Sequence, residues 1–332
     1  MNRRILTEEQ QTWIAERTSK LVGELIRDAH AIGVSVLRGR RGETIVDCGV
    51  HESGSWEAGR RIVEISQGGM ARARVDLSEI DGIPLPGITV ESGNPPLSAF
   101  GLQVSMPIDE VDSAIRVSGP ILARFESSRV ALAHEELAIV PGWGTAVIEA
   151  NHLDLDDVVG ALEARSRIPA ERLTLVVVPT GSVAGATQIA GRINECVVFT
   201  WEESLGATAD AVRHLLGSVP IAPAGSAGLC PDDFIHYAGS AVATVDSAGL
   251  DLAALAARLT FESTPIHGRR FADLLAEAGG VFEAIPGLVD LNKIAQITLI
   301  DARNGATFAA GRRDEARLAQ WLRSSVSRKE AQ

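Results

Sequence analysis

The residues best suited to chemistry lie between 173 and 195. The run Leu173-Thr174-Leu175-Val176-Val177-Val178 is nearly all apolar and is bounded by turn residues, which predicts a strand buried on both faces. It ends at Pro179-Thr180. Gly181, Ser182, Gly185 and the small side chains around them let a backbone approach a ligand closely. The helix expected next offers its first N–H groups and its dipole to an anion. Farther along that helix pattern stand Arg192 and Glu195, at i and i+3 and so neighbours on one face. A base beside a carboxylate, above such a loop, is a pair suited to activating water. The same spacing also fits a glycine-softened turn followed by a surface ion pair. The segment is not a Walker A loop and contains no GxGxxG.

A second segment, 47–69, runs from Asp47-Cys48-Gly49 to Gly68-Gly69 and is dense in glycine. It either lines a cleft with backbone donors or makes a tight strand–helix connection. His51, His134, His214, His236 and His267 are scattered, with no HxH, HxxxH or HExxH, so no metal site is expected. His134-Glu135-Glu136 reads as a solvated turn, and Asp232-Asp233 after Pro231 as a helix cap or turn. The cysteines Cys48, Cys196 and Cys230 form no CxxC, and no GxSxG elbow exists.

The elements that must position these residues follow from periodicity. Trp13, Leu21, Leu25 and Ile26 predict a helix over 8–32. VSVLRG and ETIVDCGV read as strands. Ser53 or Ser55 caps a helix carrying Ile62, Val63 and Ile65, closed by Gly68-Gly69. ARARVDL and GITVES read as strands around a turn cluster, IDGIPLPG. Strands are expected at 130–140 and 144–150, then a helix at 154–166. After the 173–178 strand, helices are expected at 189–204 and 207–217. HYAGSAVATV reads as a strand, 249–259 and 269–278 as helices, 288–300 and 305–309 as strands, and the last twenty residues as a polar helix with a frayed tail. The mixture is α/β or α+β. A faint shift in composition near 150 suggests an N-terminal domain, 1–150, and a C-terminal domain, 151–332, between which the chain can cross.

Composition narrows the function classes. The 332 residues are 45% hydrophobic and 22% charged, ordinary values for a folded chain. Acids outnumber bases 43 to 31, for a net charge of −12, so a nucleic-acid backbone binder is not expected. Aromatics at 4% argue against a base-stacking platform. Only Lys20, Lys293 and Lys329 are lysines, which leaves anion contacts to arginine or backbone N–H. The opening MNRRILTEEQQ has no apolar core behind its arginines, and no run of apolar residues is long enough to span a bilayer. A cytoplasmic protein with no membrane partner is expected.

Several segments together resemble one family, the methenyltetrahydromethanopterin cyclohydrolases. Asp47-Cys48-Gly49-Val50, Gly54-Ser55, Glu57-Ala58-Gly59, Glu64 and Gly68-Gly69 resemble its first, glycine-rich motif. Pro179, Thr180, Ser182, Ala184, Gly185, Gln188, Arg192 and Glu195 resemble its central one. Pro220-Ile221-Ala222-Pro223 and the set Gly268, Phe271, Phe282 are similar to two later, weaker patterns. The match keeps its order over about 20–312. The resemblance implies two mixed α/β domains with a pocket between them, in a homo-oligomer (a dimer or trimer). It implies hydrolysis of the N5,N10-methenyl bridge of a tetrahydropterin carrier to the N5-formyl form. That reaction belongs to one-carbon metabolism, methylotrophy included, and needs no metal or redox cofactor; the small-molecule pterin is substrate or ligand. Glu195 would position or deprotonate the attacking water. Arg192 would orient Glu195 and steady the oxyanion. Gly54, Ser55, Glu57, Gln103, Ser118, Gly119, Thr180, Ser182, Gly185, Gln188 and Asp233 would line the substrate.

The chain also departs from the family pattern. Gly-Ser-Gln-Tyr-Ala-Gly-Trp is reduced to Phe100-Gly101-Leu102-Gln103. Gly-Ser-Gly-Pro-x-Arg becomes Val117-Ser118-Gly119-Pro120-Ile121-Leu122-Ala123-Arg124, with its arginine displaced. Cys230-Pro231-Asp232-Asp233 stands where the family has Met-Gly-Arg-Thr-Asn-Asp, and Phe282-Glu283-Ala284-Ile285-Pro286 where it has Phe-Tyr-Lys-Ile-Asp. These changes imply a second reading: a diverged paralogue that binds the pterin or a pathway partner, or acts in carrier biosynthesis, without cyclohydrolase turnover.

Overall fold

The computed structural model describes residues 3–133, 141–225 and 228–329. Helices and mixed sheets form two units, one comprising Met1–Arg72 with Leu97–Gln188 and the other Ala73–Pro96 with Ile189–Gln332.

The first unit is built on a six-stranded sheet in the order Ser35–Arg38, Thr44–Asp47, Thr174–Val178, Thr145–Glu149, Asp112–Ser118, Met106–Ile108. Its three central strands are parallel and the outer ones antiparallel. Alternation divides the Thr174–Val178 side chains between two cores. Leu175 and Val177 join Val158, Val159 and Leu162 of the helix Asp156–Ser166 on one face. Val176 and Val178 join Leu21 and Leu25 of the helix Glu8–Arg27 and Ile62 and Ile65 of the helix Trp56–Ser66 on the other. A central strand buried on both faces has to be apolar throughout, as this one nearly is.

The second unit holds a six-stranded sheet in the order Thr307–Gly311, Gln296–Asp301, Ser240–Val245, Val212–Pro220, Ile83–Ser92, Ala71–Ile80. One face is buried through Leu215, Val219, Ala243, Ile297 and Leu299. Leu216 and Val242, cross-strand partners, stay exposed. Among the described residues no helix is long and apolar enough to cross a membrane.

Several expectations are corrected. The units do not divide at 150. The hairpin 71–92 pairs with Val212–Pro220, and Thr174–Val178 lies between Thr44–Asp47 and Thr145–Glu149, so hydrogen-bond ladders override chain order. The expected helix at 207–217 is a strand from Val212. Val212, Leu215 and Leu216 stand at helical spacing, but ladder partners on both sides satisfy an extended backbone instead. IDGIPLPG is a turn only at Asp81-Gly82, where φ is 47° and 76°, the signature of a tight hairpin. His236 and Tyr237 belong to the helix Pro231–Ala238, and only Ser240–Val245 of that stretch is strand. Gln296–Asp301 is the only strand within the expected 288–300. The 130–140 strand is seen as Val130–Leu132. The remainder, with His134-Glu135-Glu136, lies outside the described residues, as do the final residues 330–332.

Candidate active site

The two motifs of the first unit meet through backbone contact. The Thr174–Val178 strand turns at Pro179, and Ser182 then caps the helix Val183–Ala190. Ser182 Oγ donates to the Pro179 carbonyl at 2.8 Å and accepts from the Gly185 N–H at 3.0 Å. A β-carbon on Gly185 would fall 1.8 Å from the Pro179 oxygen. Across from this helix, a β-carbon on Gly59 would come within 2.4 Å of Thr187 Cβ and 2.5 Å of the Ala184 carbonyl. Gly59 therefore serves close packing of the helix Trp56–Ser66 on the helix Val183–Ala190, while Gly68 and Gly69 lie against Ile14, Arg17 and Leu102.

Backbone donors are correspondingly few here. Buried Asp47 accepts from the N–H groups of Gly49, Val50 and His51 at 2.9, 2.7 and 2.9 Å. Gly54 N–H donates to the Gly33 carbonyl at 2.9 Å, and Ser55 Oγ caps the next helix by accepting from Ala58 N–H at 3.1 Å. Of the amides expected to face an anion at the second helix, Ser182, Gly185 and Ala186 already have acceptors within the turn. Thr180 and Gly181 are exposed at its tip.

Glu57 accepts both guanidinium arms of Arg60, at 2.7 and 2.8 Å, and Arg61 at 2.7 Å. The Arg60 guanidinium, with Arg61 beside it, holds its carboxyl below the usual range. Gln103 is wholly buried: it donates to Ser66 Oγ and accepts from Gln67 Nε2, both at 3.1 Å. Gly119 N–H reaches the Leu102 carbonyl at 2.8 Å, so Gln103, buried Ser118 and Gly119 gather beside Ser66 and Gln67. Gln188 is also wholly buried and donates to Glu149 Oε1 at 2.9 Å.

Arg192 and Glu195 belong to the second unit. The helix pattern expected over 189–204 is interrupted. Arg192 N–H turns back to the Ile189 carbonyl at 2.9 Å, and a new helix, Ile193–Phe199, starts after Arg192 with φ −84° and ψ 2° at that residue. The i,i+3 relation survives the break. Arg192 Nη2 lies 2.8 Å from each oxygen of the Glu195 carboxylate, and both residues are buried, at 7% and 6% exposure, so this is no surface ion pair. Asn194 anchors that turn to the sheet. Its Nδ2 donates to the Val90 carbonyl at 3.1 Å, Ser92 Oγ at 3.0 Å and the Leu215 carbonyl at 3.3 Å. Cys196 is buried next to the pair, and burial pushes its thiol far up, so it is no nucleophile.

Asp233 is buried as well, but its oxygens accept from Cys230 N–H at 3.0 Å and Phe271 N–H at 2.8 Å. It ties together the starts of the helices Pro231–Ala238 and Phe271–Glu277. Burial raises its pKa from 3.8 to about 7 against those hydrogen bonds. His236 is interior, with Nε2 2.8 Å from the Leu291 carbonyl, and burial lowers its pKa to about 4.

Residues 14–321 match the family model described as Cyclohydrolase (MCH). The methenyltetrahydromethanopterin cyclohydrolase of Methylobacterium organophilum is 32% identical over 308 residues, 88% of this chain and 92% of that protein. Proteins of the same name from Methanothermobacter thermautotrophicus and Methanothermobacter marburgensis are each 29% identical over 304 residues, 88% of this chain and 93% of theirs. The chain belongs to the cyclohydrolase family.

Within this cyclohydrolase-family chain, sequence reasoning missed Glu149, Asn194, Ser66 and Gln67. Asn194 carries a weak signal, an amide between the two members of the charged pair. Glu149 carries only its place at the end of an apolar strand.

Proposed function

We propose that this chain hydrolyses a methenyl-tetrahydropterin to its N5-formyl form. The observation that carries the reading is the buried Arg192–Glu195 pair, held by Asn194 in a chain of the cyclohydrolase family. The methenyl bridge is an amidinium cation, so a carboxylate beside it favours its binding. Water adds to the bridge carbon, and Glu195 accepts a proton from that water as the C–O bond forms. The tetrahedral adduct then breaks its bond to N10, which takes the proton held by Glu195, while the hydroxyl loses its proton to solvent and N5 keeps the formyl group. The balance is methenyl cation plus water giving formyl product plus one proton. Arg192 keeps Glu195 turned toward the water and stabilises the developing oxygen charge. No metal or redox cofactor enters this scheme. The same reading includes a homo-oligomer, a dimer or trimer, which the exposed Leu216–Val242 pair supports and light scattering tests.

The test is spectroscopic. Purified protein mixed with methenyl-tetrahydromethanopterin bleaches the methenyl chromophore well above the spontaneous rate, and Glu195→Gln removes the acceleration. A second reading, a paralogue that binds the pterin without turnover, is favoured by the internal engagement of Glu57, Gln103 and Asp233. Saturable binding without acceleration would select it.

A further inference from the structure

Gln188 uses only half of its amide. Nε2 donates to Glu149 Oε1 at 2.9 Å, while Oε1 is buried with no hydrogen-bond partner. Buried polar atoms in folded proteins almost always have a partner, so this acceptor needs an explanation. Rotating the amide by half a turn does not supply one. It would set Oε1 against Glu149 Oε1, two acceptor oxygens facing each other. Glu149 thus dictates which end of the amide it takes and which end it leaves open.

The location points the same way. Glu149 ends its strand and is the register partner of Val178. It therefore stands at the carboxyl edge of the parallel strands, beside the Pro179–Ser182 turn, the edge where open α/β sheets bind ligands. We propose that Glu149 is a positioning residue: it locks the Gln188 amide so that Oε1 is offered as an acceptor to an N–H donor of the ligand. The inference rests on the pterin reading above. A pterin ring supplies such donors at its 2-amino group and at N3, and a buried acceptor that meets a donor only in the complex rewards the correct ring.

The experiment compares methenyl-tetrahydromethanopterin with two analogues, one with the 2-amino group replaced by methyl and one methylated at N3. The wild type disfavours at least one analogue by about tenfold or more in kcat/KM. In Glu149→Gln the residue at 149 both donates and accepts, so the Gln188 amide is no longer held one way. Discrimination then collapses toward unity, and KM rises by a larger factor than kcat falls. Gln188→Leu gives the same loss of discrimination with Glu149 intact, and carries the test if Glu149→Gln does not fold. Discrimination left intact in both variants, with all three pterins slowed in proportion, overturns the inference, as does a wild type that treats the three alike. If the wild type turns over the natural pterin and Glu195→Gln abolishes this, such a result sinks the inference alone. If the wild type neither binds nor turns over any of the three, the functional reading falls with it. Under the binding-paralogue reading the same comparison is made on dissociation constants.

Discussion

Gly185 lies against the carbonyl of Pro179, so closely that a β-carbon would sit 1.8 Å from the oxygen. The obstructing atom is backbone and cannot swing aside. Gly185→Ala must therefore open the turn between the Thr174–Val178 strand and its following helix. The expected cost is about 3 kcal/mol or more, as for other overpacked interiors. A urea melt reads it as a lower midpoint with an unchanged slope, and an unchanged midpoint refutes the packing argument.

Arg192 and Glu195 are buried together, so the two ways of removing the carboxylate differ. Glu195→Gln keeps a polar group beside the guanidinium and leaves the fold standing, but removes the base. Turnover of the methenyl-pterin falls by about a hundredfold to ten-thousandfold. Glu195→Ala leaves a buried guanidinium without its carboxylate and costs about 3 to 5 kcal/mol of stability as well. Chromophore bleaching and denaturant melts on both variants separate the effects.

Asp47 shapes the 49–51 loop by accepting three N–H groups with one buried carboxylate. Asp47→Ala leaves those donors without it, at about 1 to 3 kcal/mol for each one that water does not reach. Loss of a native melt, or a large drop in midpoint, is expected. A shift within experimental error would show that the loop holds its shape by other means.

Asp233 makes stability depend on pH. Its native pKa, about 7, exceeds the ordinary 3.8, because burial outweighs its two backbone hydrogen bonds. Between those values the native state holds a proton that the unfolded state has released. Its contribution to stability is thus intact below 3.8 and is lost as pH rises through about 7. Asp233→Asn cannot ionise and offers only one acceptor oxygen. It is less stable at low pH, and the fall from this site between pH 4 and pH 7 disappears. Urea midpoints across that range, for wild type and variant, decide the point.

The local signals that proved legible were those in which neighbours along the chain decide the structure. Ser55, one of the two serines expected to cap the helix carrying Ile62, Val63 and Ile65, does so. The 173–178 run is a doubly buried strand because its side chains have no polar alternative. The i,i+3 spacing of Arg192 and Glu195 joins them even though the helix breaks at Arg192. Other features depend on distant partners. Val212–Pro220 follows its ladder neighbours rather than its helical spacing, and Asp233, at the helix cap that its place after Pro231 suggests, also accepts from Phe271 N–H far along the chain.

The sequence by itself determined the motif order, the mixture of strands and helices and the charged pair, because residue types, turn chemistry and short spacings act over a few positions. Tertiary structure alone decided how the chain divides, with 71–92 leaving the N-terminal half to complete the second sheet. It alone decided that Gly59 serves helix contact, and that Glu149 takes one end of Gln188 and leaves the other. Those outcomes depend on hydrogen-bond partners and steric neighbours tens of residues away, and no local pattern encodes which of them will meet.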